Sequence, residues 1–276
     1  MKDYETMLSA ARKNLEDQNY KKAAENYSQA AQSAEDDKSR AVVLSELSWA
    51  LYELKKFDEA LEAARKILKL DADYQAKEDV FRIIGFCLLA KNNEPEALKY
   101  LQKSADIDRT SEKQQIVLYE ILKLHFKSRS YKKAAELIKD IEPYFYQNNQ
   151  EYWLSILFYK GFVYYYQGEL KKSETVFEEL LENAKDEKRK ASALFGLAFI
   201  TFSAKEYLKT INLCEAVTSS DPRFFDMETL GFLSAASFFY LGRKDVFQDY
   251  YKQLIKQFPG GRYRQELDEL HSEISN

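Results

Sequence analysis

A short pattern recurs along the chain at a nearly constant spacing. It consists of polar residues, an aromatic or apolar residue, two polar residues and a small residue, and an apolar helical stripe follows it. The aligned positions are Tyr20, Phe57, Glu94, Tyr131, Leu170, Tyr207 and Lys244. Their successive separations are 37, 37, 37, 39, 37 and 37 residues, which indicates an array of seven similar repeats.

Each repeat is predicted to contain two helices. In the second repeat, Leu44, Leu47 and Leu51 share one face of a first helix, and Ala60 and Ala64 share one face of a second. About three polar residues separate the two stripes, so the helices are expected to lie antiparallel as a hairpin.

Proline positions and composition agree with this interpretation. Pro95 falls in the first turn of a second helix, and Pro222 and Pro259 fall just after second helices. Glycine (8) and proline (4) are so scarce among 276 residues that long loops and hairpin turns of β type are not expected. The 20 Tyr, 18 Phe and 2 Trp exclude a disordered chain.

The repeats predict one all-α array with a terminal cap. A hairpin cannot bury both apolar faces alone, so neighbours must stack and the ends need capping. We expect the array to span residues 1–262, with repeats starting near 4, 41, 78, 115, 154, 191 and 228. A capping helix is expected over 263–276, with Leu267, Leu270 and Ile274 on one face. The longer interval places any irregularity of the array's curvature in the spacer at 142–150.

Several classes of protein and site are not expected. The beginning of the chain lacks a secretory signal pattern, and no window is apolar enough to span a membrane. Cys87 and Cys214 sit in apolar contexts, which indicates buried thiols and favours a reducing cytoplasm, with an extracytoplasmic chain whose signal has been removed as the alternative. His125 and His271 have no partners at metal-ligand spacing, so no metal and no cofactor are expected.

Neither catalysis nor nucleic-acid binding is indicated. No GxxxxGK[ST], GxGxxG or GxSxG pattern is present, so the protein is not expected to be an enzyme. The 41 Lys and Arg against 45 Asp and Glu give a net charge of −4, without the basic excess of a nucleic-acid binder.

The phased repeats resemble the tetratricopeptide repeat (TPR) family. Small residues of the first helix match at Ala11, Ser48, Gly85, Gly161, Ala198 and Ala235. The small residue of the second helix matches at Ala23, Ala60, Ala97 and Ala134, loosens to Ser173 and Thr210, and fails at Phe247. The resemblance implies an α-solenoid, specifically a right-handed superhelix of seven helical hairpins, although the period of 37 exceeds the family's usual 34.

The resemblance also implies a concave groove lined by first helices. The expected partner-binding residues there are Arg82, Tyr119, Lys123, Phe158, Phe162, Tyr165, Phe195, Phe199, Phe202, Phe232, Phe239 and Tyr240. The family's carboxylate clamp for chaperone tails is absent, because its positions hold Leu8, Arg12, Glu46, Asp79 and Ile83.

Two functions remain open from the sequence. The first is a non-catalytic adaptor that binds a protein or peptide partner in the groove, with aromatic contacts and with Arg82 and Lys123 orienting the partner. The second is a structural or assembly role, in which the same rings are buried by self-association or by the protein's own terminal helix. Aromatic stripes at helical spacing often belong to the core, so individual rings could also simply pack between repeats.

Overall fold

The computed structural model describes residues 2–71 and 73–275, and every regular element within these ranges is an α-helix. The seven predicted repeats contain, in chain order, α1 (Lys2–Glu16) and α2 (Tyr20–Ser33), α3 (Asp37–Glu53) and α4 (Phe57–Leu70), α5 (Lys77–Ala90) and α6 (Glu94–Ile107), α7 (Glu112–Lys127) and α8 (Tyr131–Asn148), α9 (Gln150–Tyr166) and α10 (Leu170–Asn183), α11 (Glu187–Ser203) and α12 (Tyr207–Ser220), and α13 (Met227–Tyr240) and α14 (Lys244–Gln257). A last helix, α15 (Arg264–Ser275), follows them. The predicted all-α architecture, with two helices in each of the seven repeats, is confirmed.

The chain forms two compact bodies that divide between Ser128 and Arg129. In the N-terminal body, each helix from α1 to α7 packs against the next, and α3 also contacts α5. In the C-terminal body, the same consecutive packing runs from α8 to α15, and α11 contacts the first helices on both sides of it, α9 and α13. Each body therefore builds its core between sequential hairpins.

The turn inside each hairpin contains one residue in the left-handed backbone region. These residues are Gln18, Lys55, Asn92, Arg129, Gly168, Lys205 and Gly242, with φ between 56° and 78°. In the second repeat, Lys56 N–H donates to the Leu51 carbonyl (2.9 Å) and Lys55 N–H donates to the Tyr52 carbonyl (2.8 Å). This pair of hydrogen bonds is the Schellman motif, which satisfies the last carbonyls of a helix before the chain reverses.

The motif position near the start of each second helix is buried in every repeat. All seven aligned positions on the second helices have no exposed surface: Ala23, Ala60, Ala97, Ala134, Ser173, Thr210 and Phe247. Their burial confirms the alignment of the repeats. Phe247 fills the same buried position with a large ring, so the last hairpin packs differently from the others.

The spacer between the fourth and fifth repeats is helical except at Asn149, and an irregularity of curvature at this point stays a prediction. The second helix α8 continues through Pro143 to Asn148 and is 18 residues long, whereas α6 and α10 have 14. Asn149 alone connects α8 to α9, and its side chain accepts hydrogen bonds from the Glu151 and Tyr152 amides. Compared with the next repeat, the second helix is four residues longer and the connection after it is two residues shorter, which accounts for the net increase of two.

Both cysteines are buried, as the sequence predicted. Cys87 is fully buried and Cys214 is 2% exposed. Burial raises the pKa of the Cys87 thiol to about 12 and that of the Cys214 thiol to about 11, because a thiolate is poorly solvated in an apolar core. Among the described residues, no helix is long and apolar enough to span a bilayer.

Candidate partner-binding surface

Aromatic residues of α9 and α11 form one connected group in the C-terminal body, which we call the first-helix aromatic cluster: Phe158, Phe162, Tyr165, Phe195 and Phe199. Phe162 lies at its centre, with ring centroids 5.0 Å from Phe158 and 5.3 Å from Phe199. Phe195 contacts Phe199 at 5.0 Å, and Tyr165 contacts Phe199 at 5.5 Å. Most pairs meet edge to face, the arrangement that ring quadrupoles favour.

Two members of this cluster are core residues. Phe162 is 4% exposed and Phe195 is 3% exposed, so neither ring offers an open surface in this structure. Phe158, Tyr165 and Phe199 are half-buried. The expectation that all five rings face a groove therefore needs correction, because Phe162 packs against Phe177 of α10 and Phe195 packs against Phe224 of the following loop.

A loop supplies two aromatic residues that the sequence reasoning did not select. Phe224 and Phe225 lie between α12 and α13, and Phe224 is buried against Phe195 at 4.9 Å. Phe225 is 71% exposed, although its ring contacts Phe158 at 6.2 Å and Phe195 at 5.8 Å. The signal available in the sequence was an apolar pair, Phe-Phe, inside an otherwise polar loop.

The predicted rings of α13 are partly covered by the end of the chain. Phe232 stacks on Tyr263 with centroids 4.2 Å apart and planes within 6°. Phe239 packs against Phe247 at 5.3 Å, in a core that also contains Leu267 and Leu270 of α15. Of the remaining predicted rings in this part, Phe202 is half-buried and Tyr240 is 51% exposed. Tyr263 and α15 thus cover part of α13, which is the first helix of the seventh repeat.

The predicted cation Arg82 is buried in the N-terminal body. Its guanidinium lies 4.6 Å from the Trp49 ring and pairs with Asp79 at 2.6 Å. The side chain is 9% exposed, and burial lowers the pKa of Arg82. Arg82 therefore does not present a free charge to a partner, which corrects its expected orienting role.

The two other predicted residues of the N-terminal body lie on α7. Lys123 is partly exposed and pairs with Glu120 at 2.9 Å. Its ammonium also lies 5.6 Å from the ring of Tyr119, which is half-buried. Tyr119 and Lys123 therefore form a small aromatic and polar group of the kind expected in a groove. The positive charge of Lys123 is balanced by the carboxylate of Glu120.

Comparison with known proteins agrees with this geometry. Residues 41–74, which begin within α3 and end just after α4, match the family model described as tetratricopeptide repeat. A TPR repeat-containing protein of Methanocaldococcus jannaschii is 29% identical over 184 residues, which cover 66% of this chain. The resemblance to the tetratricopeptide repeat family is confirmed. The matched part of the chain spans only 30% of the archaeal relative's length.

Solved tetratricopeptide repeat structures share the fold. One from Parabacteroides merdae superposes with a TM-score of 0.61 and 14% identity, and all of each chain is covered. YrrB, described as a TPR protein with an unusual peptide-binding site, gives a TM-score of 0.59 with 17% identity and covers 73% of this chain and 95% of YrrB. Tetratricopeptide repeats generally mediate protein–protein interactions, and the fold is typically a non-catalytic scaffold.

Proposed function

We propose that this protein is a non-catalytic adaptor that binds a partner polypeptide on the open part of the first-helix aromatic cluster. The open part comprises Phe158, Tyr165 and Phe199 together with Phe225 from the loop. One observation carries the proposal: Phe225 is 71% exposed while its ring already contacts two rings of the cluster. The apolar surface is therefore continuous from the core to solvent.

A polypeptide partner suits this surface for physical reasons. Aromatic rings bury a large apolar area, and a few buried anchor residues, many of them aromatic, dominate the binding free energy at protein interfaces. The rings are held by edge-to-face packing on α9 and α11, so little side-chain entropy remains to be lost on binding. The peptide-binding site of YrrB, a protein of the same fold, supports the choice of a peptide.

The test begins by finding the partner and then measures affinity. A photo-crosslinking amino acid at position 225 in native cells identifies the contacting segment by mass spectrometry, and the same residue at position 146 gives the background. The segment is then synthesised and titrated by calorimetry against the wild type and the Phe225→Ala and Phe199→Ala variants. We expect each variant to weaken binding about tenfold, which corresponds to about 1.4 kcal/mol.

Tyr146→Ala provides the matched control. Tyr146 is 66% exposed, similar to Phe225, but it lies on the second helix α8 and outside the aromatic cluster. This variant should bind like the wild type. Equal affinities for all four proteins would reject the assignment of the site. Phe162→Ala is unsuitable here, because removal of a buried ring costs about 3–5 kcal/mol of folding stability.

A second candidate function applies to the rings of α13. The stacking of Phe232 on Tyr263 supports an assembly role, in which the protein's own terminal segment covers these rings. In this proposal Phe232 and Phe239 stabilise the end of the array and take no part in partner binding.

We further propose a cytoplasmic location, which the two free, buried thiols support and cell fractionation would test.

A further inference from the structure

Four hairpin turns lie side by side along one edge of the C-terminal body. We call residues 129–133, 167–172, 204–209 and 241–246 the C-terminal turn edge. Tyr131 stacks on Tyr166 at 4.5 Å, which joins the first two turns. The Tyr165 hydroxyl lies 2.8 Å from the Ser203 hydroxyl, and Tyr207 stacks on Tyr240 at 4.9 Å, so the remaining turns are also adjacent.

This edge carries a strong excess of positive charge. It contains nine Lys and Arg and three Asp and Glu, which leaves six positive charges in excess. The nine cations are all exposed: Arg129, Lys132, Lys133, Lys171, Lys172, Lys205, Lys209, Arg243 and Lys244. Three of them pair with the three carboxylates, and the other six form no ion pair with any residue that the structure describes. The excess is notable because the whole chain is net negative.

Exposed apolar residues lie among these cations. Leu208 is 64% exposed and Leu241 is 45% exposed, both within the turn edge. Tyr166 and Tyr240, which end α9 and α13 beside it, are 47% and 51% exposed. Exposed large apolar side chains therefore lie at three of the four turns, among the cations of the same edge.

The equivalent turns of the N-terminal body lack both features. Residues 17–22, 54–59 and 91–96 contain five Lys and Arg and five Asp and Glu, so their charges cancel. Within the described residues, no large hydrophobic side chain of these three turns is exposed. The repeat motif alone therefore does not produce the basic, apolar character of the C-terminal turn edge.

We propose that the C-terminal turn edge docks on an anionic membrane surface. Clusters of Lys and Arg bind anionic headgroups, and tyrosine and aliphatic side chains favour the boundary between headgroups and acyl chains. The residues occupy the tips of turns, which suits a flat, deformable ligand better than a peptide that needs a groove. Binding of a single-stranded nucleic acid relies on aromatic rings that stack on bases and on cations that contact phosphates, and exposed leucines supply neither contact.

The experiment measures sedimentation of the full chain with vesicles of two compositions. One is phosphatidylcholine alone, and the other contains phosphatidylcholine and phosphatidylserine in a 7:3 ratio. We expect at least tenfold stronger partitioning onto the anionic vesicles, weakened by added salt because the Debye length shortens. Leu208→Ser should lower binding about threefold to tenfold at constant net charge.

Matched charge reversals locate the site. Lys205→Glu with Lys209→Glu should reduce binding to the anionic vesicles at least tenfold. The control is Lys55→Glu with Lys56→Glu, which makes the same change in net charge in a turn of the N-terminal body. The pairs are comparable, because Lys55 and Lys205 share a left-handed backbone and Lys56 and Lys209 each pair with a neighbouring glutamate. The control should stay within twofold of the wild type, and circular dichroism checks that both variants fold.

Three results would overturn the proposal. They are no sedimentation of the wild type with anionic vesicles at 100 mM salt, an equal loss in both charge-reversal variants, or displacement from the vesicles by poly-glutamate or an oligonucleotide that supplies fewer anionic groups than the phosphatidylserine present. Phe225 lies in the loop between α12 and α13, outside the C-terminal turn edge. Phe225→Ala should therefore leave vesicle binding unchanged. Each proposal can therefore fail without the other.

Discussion

Phe177 shows how one residue controls the spacing of three helices. Its ring is fully buried, and it lies where Gly161 of α9 and Gly196 of α11 leave room. A Cβ atom built at Gly161 would lie 2.6 Å from the ring, and one at Gly196 would lie 2.3 Å from it. Two first helices and one second helix can approach only because both positions lack a side chain.

Gly196→Ala should therefore destabilise the protein. The added methyl group forces a buried ring to move, and overpacking of this kind costs about 1–3 kcal/mol. Urea denaturation followed by circular dichroism measures the change. Gly260→Ala is the control, because a Cβ there has nothing within 4 Å, and it should leave the midpoint almost unchanged. A midpoint for Gly196→Ala equal to that of the control would contradict the packing described.

The buried thiols give a prediction about reactivity. Burial raises the pKa of Cys87 to about 12 and that of Cys214 to about 11, so almost no thiolate is present at pH 8. A disulfide reagent such as Ellman's reagent should label neither residue in the native protein within minutes, whereas both should react at once in guanidinium chloride. Rapid labelling of the folded chain would show that one of these sites opens.

At the scale of the element, the hairpin turns combine a common geometry with different sequences. Gly168 and Gly242 occupy the left-handed position in two turns, and Gln18, Lys55 and Lys205 occupy it in others. A residue with a Cβ pays about 1–2 kcal/mol for this conformation, and glycine does not. The Schellman hydrogen bonds impose the backbone angle regardless of which residue is present.

Opposite changes at this position should have opposite effects on stability. Lys55→Gly should raise the free energy of unfolding by up to about 1 kcal/mol, because the relief of strain exceeds the added chain entropy. Gly168→Ala, at φ 78°, should lower it by about 1 kcal/mol. Thermal melts of the two variants measure the difference, and shifts in the same direction would contradict the assigned backbone.

Helix α11 begins with an aspartate cap that should respond to pH. The Arg189 amide donates to the Asp186 carboxylate at 2.9 Å, and this backbone hydrogen bond is the main reason that the pKa of Asp186 lies below its usual value. The lowered pKa means that the stabilisation is complete above the unfolded pKa of about 3.9 and is lost as the pH falls through the lower folded value.

Asp186→Ala should cost about 1 kcal/mol at pH 7, as the loss of an N-cap usually does. The difference from the wild type should shrink as the pH falls below 4, because the wild-type cap is then protonated. Asp186→Asn keeps a cap without the charge, so its stability should vary less over the same range. Urea titrations at pH 7, 4 and 2.5 compare the three proteins, and a difference independent of pH would contradict a role for the carboxylate.

At the scale of the whole molecule, each body is a stack of hairpins whose ends require protection. In the C-terminal body, α15 provides it: Leu267 and Leu270 are at most 8% exposed and pack in a core with Phe247 and Leu254. Arg262, just before α15, pairs with Asp226 and Glu228 of the last repeat. The terminal segment therefore joins the array through both apolar and ionic contacts.

Removal of residues 262–276 should expose this core. We expect a several-fold rise in the fluorescence of a hydrophobic dye and a lower melting temperature, because the partners of Phe247 and Leu254 are lost. Glu266→Ala in the full chain is the control, since that side chain is exposed, and it should behave like the wild type. Dye binding equal to that of the full chain would contradict the burial of Phe247 and Leu254 by α15.

The sequence by itself determined the period, the two helices of each repeat, the turns and the buried small positions. These follow from local spacing, because the same contacts recur between neighbours and each repeat contacts little else. The boundary at residue 262 and the adaptor role stay predictions.

Only the tertiary structure decided which aromatic rings are open. Phe162 and Phe225 are both phenylalanines near apolar residues, yet one is 4% exposed and the other 71%. Helical spacing fixes the direction of a side chain on its own helix but not what the neighbouring helix, loop or terminal segment places over it. For the same reason, the continuous basic edge became visible only when four turns, distant in sequence, came to lie side by side.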